Sequence, residues 1–130
     1  MIVVDASAVI EVLLRTLVAP AIERRLFADG ESLHAPHLID IEVAHVLRRY
    51  AAAGDMSAER GREALEDLAD LSLRRYPHDV LLPRVWELRA NLTAYDAVYV
   101  ALAEALGAPL VTRDRRLANA AGRHATVELV

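Results

Sequence analysis

Residues 93–118 read TAYDAVYVALAEALGAPLVTRDRRLA and predict a helix, a strand and the start of a second helix. Thr93 precedes an almost wholly apolar segment that ends at Leu106, which is typical of a helix buried on most of its surface. The Pro109–Thr112 segment is short and apolar and is followed by charged residues, which indicates a buried strand. Residues Arg113–Ala121 predict a short helix after it. This order of elements favours an α/β fold.

The same alternation of short apolar segments and helical segments continues over the rest of the chain. Four more strands are predicted, over Ile2–Asp5, Ser32–Ala35, Leu71–Tyr76 and Ala125–Leu129. Helices are predicted from Ser7 onward, over Leu17–Ala28, over Leu38–Ala53, from Ser57 onward, and over Asp79–Leu92. Because strands that alternate with helices pair in parallel and are covered on both sides, we expect a three-layer α/β fold with a short, mainly parallel sheet.

Composition limits both the size and the chemistry of the protein. The 130 residues are predicted to form one domain, residues 1–130, and a content of 55% hydrophobic residues is enough for a sizeable core. The absence of cysteine excludes disulfides and thiolate zinc sites. All 15 basic residues are arginine, which excludes every mechanism that needs a lysine. The net charge of −4 indicates that the surface as a whole does not attract nucleic acid.

Neither a secretory signal nor a membrane span is predicted. The N-terminal MIVVDASAV has no basic start and meets an acid after three apolar residues. The longest apolar runs, such as AVYVALA, are far shorter than the ~18 residues that a membrane span needs. We therefore expect a cytoplasmic protein.

Four carboxylates are predicted to meet at one edge of the sheet. Asp5 ends the first strand and Asp114 follows the strand over residues 109–112, and ligands of open parallel sheets bind beyond such strand ends. Asp96 lies in the first turn of the apolar helix. Glu42 lies near the start of the helix that leaves the second strand, beside a buried stripe rather than on the solvated face.

Such a group of acids indicates a divalent metal ion. Like charges at close range raise one another's pKa, so burying four carboxylates together is costly without a positive partner. Mg²⁺ and Mn²⁺ prefer oxygen ligands, activate water and stabilise the leaving oxygen of a phosphodiester. The acids therefore favour a metal-dependent nuclease.

Each acid also has a purely structural interpretation. Asp5 and Asp114 are each followed by a helix that they would cap at its N-terminus. Thr93 and Asp96 match a capping box, in which the acid is favoured by the helix dipole. Glu42 could be a partly exposed helical residue. Their coincidence at one sheet edge, rather than any single acid, supports the metal site.

Three segments of the sequence together resemble a PIN domain, and more narrowly the VapC toxins of bacterial type II toxin–antitoxin systems. They are MIVVDASAVI at residues 1–10, the helix with Glu42 and the following VAHVLRRY, and the segment at residues 93–118. The resemblance extends over essentially the whole chain. It implies that a metal centre is lined by the acids Asp5, Glu42, Asp96 and Asp114.

The resemblance also implies an activity and partners. Members of the family are Mg²⁺- or Mn²⁺-dependent endoribonucleases, and hydroxyl groups at Ser7 and Thr112 would support the metal centre. The resemblance implies a homodimer and a cognate VapB-like antitoxin whose C-terminal segment lies across the active-site groove. That segment would bring a basic side chain toward the acids.

Arginine is the predicted RNA ligand, because its guanidinium binds phosphate in a bidentate manner. Arg113, Arg115 and Arg116 flank Asp114 and are the best candidates for RNA contact. Three weaker candidates are more typical of a solvated helix face: Arg15, Arg48 and Arg49. Tyr95 and Tyr99 are predicted to be core residues rather than a stacking platform, and an aromatic content of 5% argues against extensive base stacking.

Other functions fit the sequence less well. The spacing of His34, His37 and His45 matches no zinc signature. A haloacid-dehalogenase-like phosphatase would need an acid at Ser7 and a lysine, and a response-regulator receiver also needs a lysine. A PIN-like module that only binds RNA or protein remains the alternative, but it would have no use for four acids.

Overall fold

A five-stranded parallel sheet runs through the computed structural model, which describes all 130 residues. Its spatial order is β3-β2-β1-β4-β5, and every neighbouring pair is parallel. The strands are β1 (Ile2–Val4), β2 (Leu33–Pro36), β3 (Leu73–Tyr76), β4 (Leu110–Thr112) and β5 (Val127–Leu129). The predicted α/β class and parallel sheet are confirmed.

Seven helices cover the two faces of the sheet. They are α1 (Ala6–Leu13), α2 (Ala19–Leu26), α3 (Leu38–Ala53), α4 (Ala58–Asp70), α5 (Leu82–Glu87), α6 (Ala94–Leu106) and α7 (Arg115–Ala121). Helices α1 to α4 connect β1 to β2 and β2 to β3 and lie together, since α1 contacts α2, α3 and α4; the general preference for right-handed crossovers places them on one face of the sheet. The return crossover places α5 and α6 on the other face. No helix is both long enough and apolar enough to cross a membrane.

The core is centred on β1 and α6. All three residues of β1 are fully buried, and α6 is buried continuously over residues 97–103. Helix α6 packs against β1, β2 and β4, so it lies under the middle of the sheet. Its central position explains why the sequence of this helix is apolar on nearly every side.

The strand order creates a crevice between β1 and β4. The chain leaves β1 toward β2 on one side and returns from β3 to β4 on the other, so the connections diverge at the carboxyl ends of these two neighbours. Open α/β sheets bind their ligands at such a switch point. Asp5 follows β1 directly, and Asp114 lies two residues beyond β4.

The helix predicted over Asp79–Leu92 is shorter in the structure and is not one continuous α-helix. The structure has a single 3₁₀ turn over Asp79–Leu81 and then the six-residue α5. Pro83 lies in the first turn of α5 and has no N–H to bond a carbonyl one turn earlier, so a helix begins here rather than continuing. The helix predicted from Arg113 begins two residues later, because Asp114 is its N-cap.

Candidate active site

Asp5 is the buried acid of the crevice, with 6% of its surface exposed. One carboxylate oxygen accepts hydrogen bonds from the backbone N–H of Ala8 at 3.2 Å and from Ser7 Oγ at 2.7 Å. The other accepts from Thr112 Oγ1 at 2.6 Å. Burial raises the pKa of Asp5, the three hydrogen bonds oppose that shift, and the charge of Asp114 adds to it. Asp5 therefore caps α1 and also places a buried carboxylate at the crevice.

Two hydroxyl groups connect the ends of β1 and β4. Ser7 Oγ lies 3.2 Å from Thr112 Oγ1, and both contact Asp5. Ser7 Oγ also accepts from the backbone N–H of Arg113 at 2.9 Å, and Thr112 Oγ1 from that of Asp114 at 2.9 Å. The structure thus brings both predicted hydroxyls to the acids, where they hold the β4 loop against β1.

Glu42 reaches the crevice from the second turn of α3. Its Oε1 accepts a hydrogen bond of 2.5 Å from the hydroxyl of Tyr99, which is buried in α6. Burial raises the pKa of Glu42, the Tyr99 bond lowers it, and the charges of Asp5 and Asp96 raise it further. The carboxylate is therefore fixed in direction and lies close enough to both aspartates to sense their charge.

Asp96 and Asp114 share one cation, the guanidinium of Arg116. Its Nη2 lies 2.8 Å from Asp96 Oδ2 and 3.3 Å from Asp114 Oδ2. Asp114 also caps α7 by accepting from the backbone N–H of Leu117 at 3.1 Å, while Thr93 caps α6 through the N–H of Asp96. Asp114 thus has the capping role predicted for it, whereas Thr93 and Asp96 form only half of the predicted capping box, because the Asp96 carboxylate pairs with Arg116.

All four acids line one cavity of about 710 Å³. Glu11 lines it as a fifth acid, which was not among the predicted site residues. Its position four residues after Ser7 on α1 places both on one helix face, and this spacing was a signal that could have identified it. Glu11 Oε1 lies 3.5 Å from Nε of Arg113, so the negative charge of Glu11 partly offsets the positive charge of Arg113 in the cavity.

The prediction for Tyr95 is wrong, whereas that for Tyr99 is confirmed. Tyr99 is 2% exposed, but Tyr95 is 65% exposed and lines the cavity. Both lie on the same side of α6, four residues apart. Tyr95 belongs to the first turn of α6, where residues 93–95 are all exposed, so no other element covers its ring.

The three arginines that flank Asp114 have different surroundings. Arg113 lines the cavity and is held by Glu11 and by the backbone carbonyl of Val130 at 3.1 Å. Arg116 bridges two of the acids. Arg115 is exposed and makes neither a hydrogen bond nor an ion pair through its side chain. Contact of these residues with RNA stays a prediction.

The histidines lie in separate environments. His34 is buried in β2, with its ring nitrogens 2.8 Å from Ser32 Oγ and 2.7 Å from Tyr76 Oη. His37 precedes α3, and His45 lines the cavity from the next turns of that helix. The hydrogen bonds of His34 give it a structural role in the sheet.

The residues at the crevice fit a hard divalent cation. Carboxylate and hydroxyl oxygens are the ligands that Mg²⁺ and Mn²⁺ prefer, and no arginine pairs with Asp5 or Glu42, whose pKa values are raised mainly by burial. In the present arrangement no three acidic or histidine side chains are close enough to one another to hold an ion. An ion that binds here would have to compete with Arg116 for Asp96 and Asp114.

The fold and the crevice together define a PIN-type domain, and the PIN domain family model matches residues 2–123. The chain therefore belongs to the PIN domain family. Ribonuclease VapC9 of Mycobacterium tuberculosis is 52% identical over 119 residues, which cover 92% of this chain and 90% of that protein. Ribonuclease VapC1 of the same species is 46% identical over 129 residues, 98% and 96% of the two chains. The resemblance to VapC proteins is confirmed.

Solved structures share the fold. PAE2754 from Pyrobaculum aerophilum is 29% identical with a TM-score of 0.68, covering 96% of this chain and 81% of that one. VapBC2 from Rickettsia felis, bound to a DNA fragment from the promoter, has a TM-score of 0.74 at 14% identity, covering 100% of this chain and 99% of that one. These neighbours agree with the three-layer arrangement described above.

Proposed function

We propose that this protein is the toxin of a type II toxin–antitoxin pair and acts in the cytoplasm as a metal-dependent endoribonuclease. The observation that carries this proposal is the meeting of four carboxylates in one cavity at the β1–β4 switch point, where the hydroxyls of Ser7 and Thr112 both bond to Asp5. The relatives named ribonuclease VapC, aligned over more than nine tenths of the chain, support the same activity.

Asp5, Glu42, Asp96 and Asp114 are the residues that would hold Mg²⁺, with Mn²⁺ as a substitute. Such an ion supplies a Lewis acid and an activated water for phosphodiester hydrolysis. Ser7 and Thr112 orient the Asp5 carboxylate through their hydroxyls, and Tyr99 orients that of Glu42. These hydrogen bonds organise the oxygen ligands before any substrate arrives.

Two protein partners complete the proposal. A VapB-like antitoxin would cover the groove and place a cation at the acids, much as Arg116 now does within the chain. A second copy of the chain would form a homodimer. The exposed apolar side chains of Val80, Leu82 and Trp86 support such an interface, because a second copy packed against them would remove apolar surface from water.

Metal removal tests the activity directly. Protein purified free of antitoxin is expected to cut a total RNA pool in Mg²⁺ or Mn²⁺ and to stop in EDTA, with activity restored by excess Mn²⁺. Gel or sequencing analysis of the RNA ends would measure the cleavage. If the folded protein cuts no RNA in either metal, the proposed nuclease activity is contradicted and a module that only binds RNA or protein is favoured.

Arg116 gives a second test, of the metal site without RNA. Replacing Arg116 with alanine removes the cation that bridges two acids, so we expect Mn²⁺ to bind severalfold more tightly. The gain is expected to be modest because water and salt screen ion pairs made by an exposed guanidinium. Isothermal titration calorimetry would measure the change, with Arg115→Ala as the matched control. Equal Mn²⁺ affinities in the two variants would place the metal away from Asp96 and Asp114.

A further inference from the structure

The cavity continues from the acids along α3. Glu42, His45 and Arg49 all line it, and their spacing of three and then four residues places them on one face of that helix. Seven residues of helix rise by about 10 Å, so the wall changes from acidic to basic over that distance. An RNA strand with its cleaved phosphate at the acids would therefore have at least one further phosphate beside this wall.

His45 and Arg49 are the cavity's uncommitted basic side chains. Both are exposed, and neither makes a hydrogen bond or an ion pair through its side chain. The other two arginines at the crevice are engaged, Arg113 with Glu11 and Arg116 with two of the acids. A polyanion that enters the cavity therefore meets a free guanidinium on α3 without having to break an existing ion pair.

We propose that this face of α3 binds the phosphate backbone of the RNA strand on one side of the cleaved bond, with Arg49 and His45 as the contacting residues. The inference rests on the proposed ribonuclease function and extends it to the substrate path. Arg49 can form a bidentate pair with one phosphate, and His45 can donate to the phosphate nearer the acids. Such contacts grip the backbone and carry no base specificity.

Arg48 provides a matched control for Arg49. It is the preceding residue on the same helix, is also exposed and unpaired, and does not line the cavity. Replacing either arginine with glutamine removes one positive charge and breaks no side-chain contact, so both variants should fold. The pair thus separates a position on the RNA path from the general effect of charge.

The test measures RNA binding without cleavage. A short, unstructured, fluorescein-labelled RNA is titrated in Mg²⁺ against protein that carries Asp5→Asn, alone and with Arg49→Gln or Arg48→Gln, at several salt concentrations. We expect Arg49→Gln to weaken binding about 5- to 10-fold and to reduce the salt slope by about 0.7, the value for one phosphate contact on a single strand. Arg48→Gln should leave both nearly unchanged.

The outcomes separate this inference from the proposed activity. If unmutated protein cuts RNA but the two glutamine variants bind alike, the α3 path is overturned while the nuclease stands. If unmutated protein does not cut but Arg49→Gln alone weakens binding, the path stands and the nuclease fails. The path would also be overturned if the Asp5→Asn parent binds no RNA. The same holds if Arg49→Gln weakens binding to a protein partner but leaves RNA binding unchanged.

Discussion

Asp5→Asn is expected to abolish RNA cleavage while the domain stays folded. Asparagine keeps an oxygen that can accept from the N–H of Ala8 and the hydroxyl of Ser7, so the cap of α1 is retained. It removes the buried negative charge that a metal ion would neutralise. Loss of a central catalytic group lowers rates by about 10³-fold or more, and we expect an effect of that size in a single-turnover assay with Mg²⁺.

Asp70→Asn is the control for this prediction. Asp70 ends α4, is exposed and makes no side-chain contact, so its loss changes the net charge equally and should not affect cleavage. Circular dichroism melting would check that the Asp5 variant is folded. Cleavage within severalfold of the unmutated rate would remove Asp5 from the metal centre.

Glu42→Gln is expected to lower cleavage strongly and to stabilise the metal-free protein. Glutamine preserves an acceptor for the Tyr99 hydroxyl but carries no charge. Burial and the neighbouring acids raise the pKa of Glu42 in the folded state, so ionising it at neutral pH costs stability. The variant avoids this cost, and we expect its Tm in EDTA at pH 7 to be higher by about 2–5 °C.

The Tm difference between the Glu42→Gln variant and the unmutated protein is expected to depend on pH. Because the folded pKa of Glu42 lies above the unfolded value of 4.5, its favourable contribution is complete below that value and is lost as the pH rises through the folded pKa. The Tm difference between the variant and the unmutated protein should therefore vanish near pH 4. Excess Mn²⁺ at pH 7 should reduce this Tm difference, because metal binding stabilises the unmutated protein, which keeps the carboxylate.

Glu23→Gln serves as the comparison, since Glu23 on α2 makes no side-chain hydrogen bond or ion pair. We expect the same Tm as for the unmutated protein at both pH values. If the Glu42→Gln variant is less stable than the unmutated protein at pH 7 in EDTA, ionisation of Glu42 does not cost the folded state stability, and the prediction is wrong.

Much of the fold could be predicted because it is encoded locally. The bounds of α3 follow from its periodic apolar residues and from Gly54, whose positive φ of 80° ends the helix at low cost. The apolar sequence of α6 reports burial on all sides. The helix predicted over Asp79–Leu92 is shorter in the structure, because Pro83 begins α5 and the helix ends at Glu87.

Part of the candidate site was also predictable. Asp5 and Asp114 follow strands, and parallel strands that are neighbours end at the same edge of a sheet. The chemical type of the residues then indicated a hard cation. Proximity of the four acids therefore required only the assumption of a parallel sheet, together with the resemblance to a family in which these positions meet.

Local sequence patterns were enough to predict the class of fold, the burial of α6 and four of the five acids that line the cavity. They could not predict that Tyr99 orients Glu42 from 57 residues away, that Arg116 bridges two acids, or that Tyr95 is exposed. The physical reason is that periodicity reports which face of an element is buried, but not what covers it. That partner depends on the strand order β3-β2-β1-β4-β5, which sets the long-range contacts and leaves no trace in any local pattern.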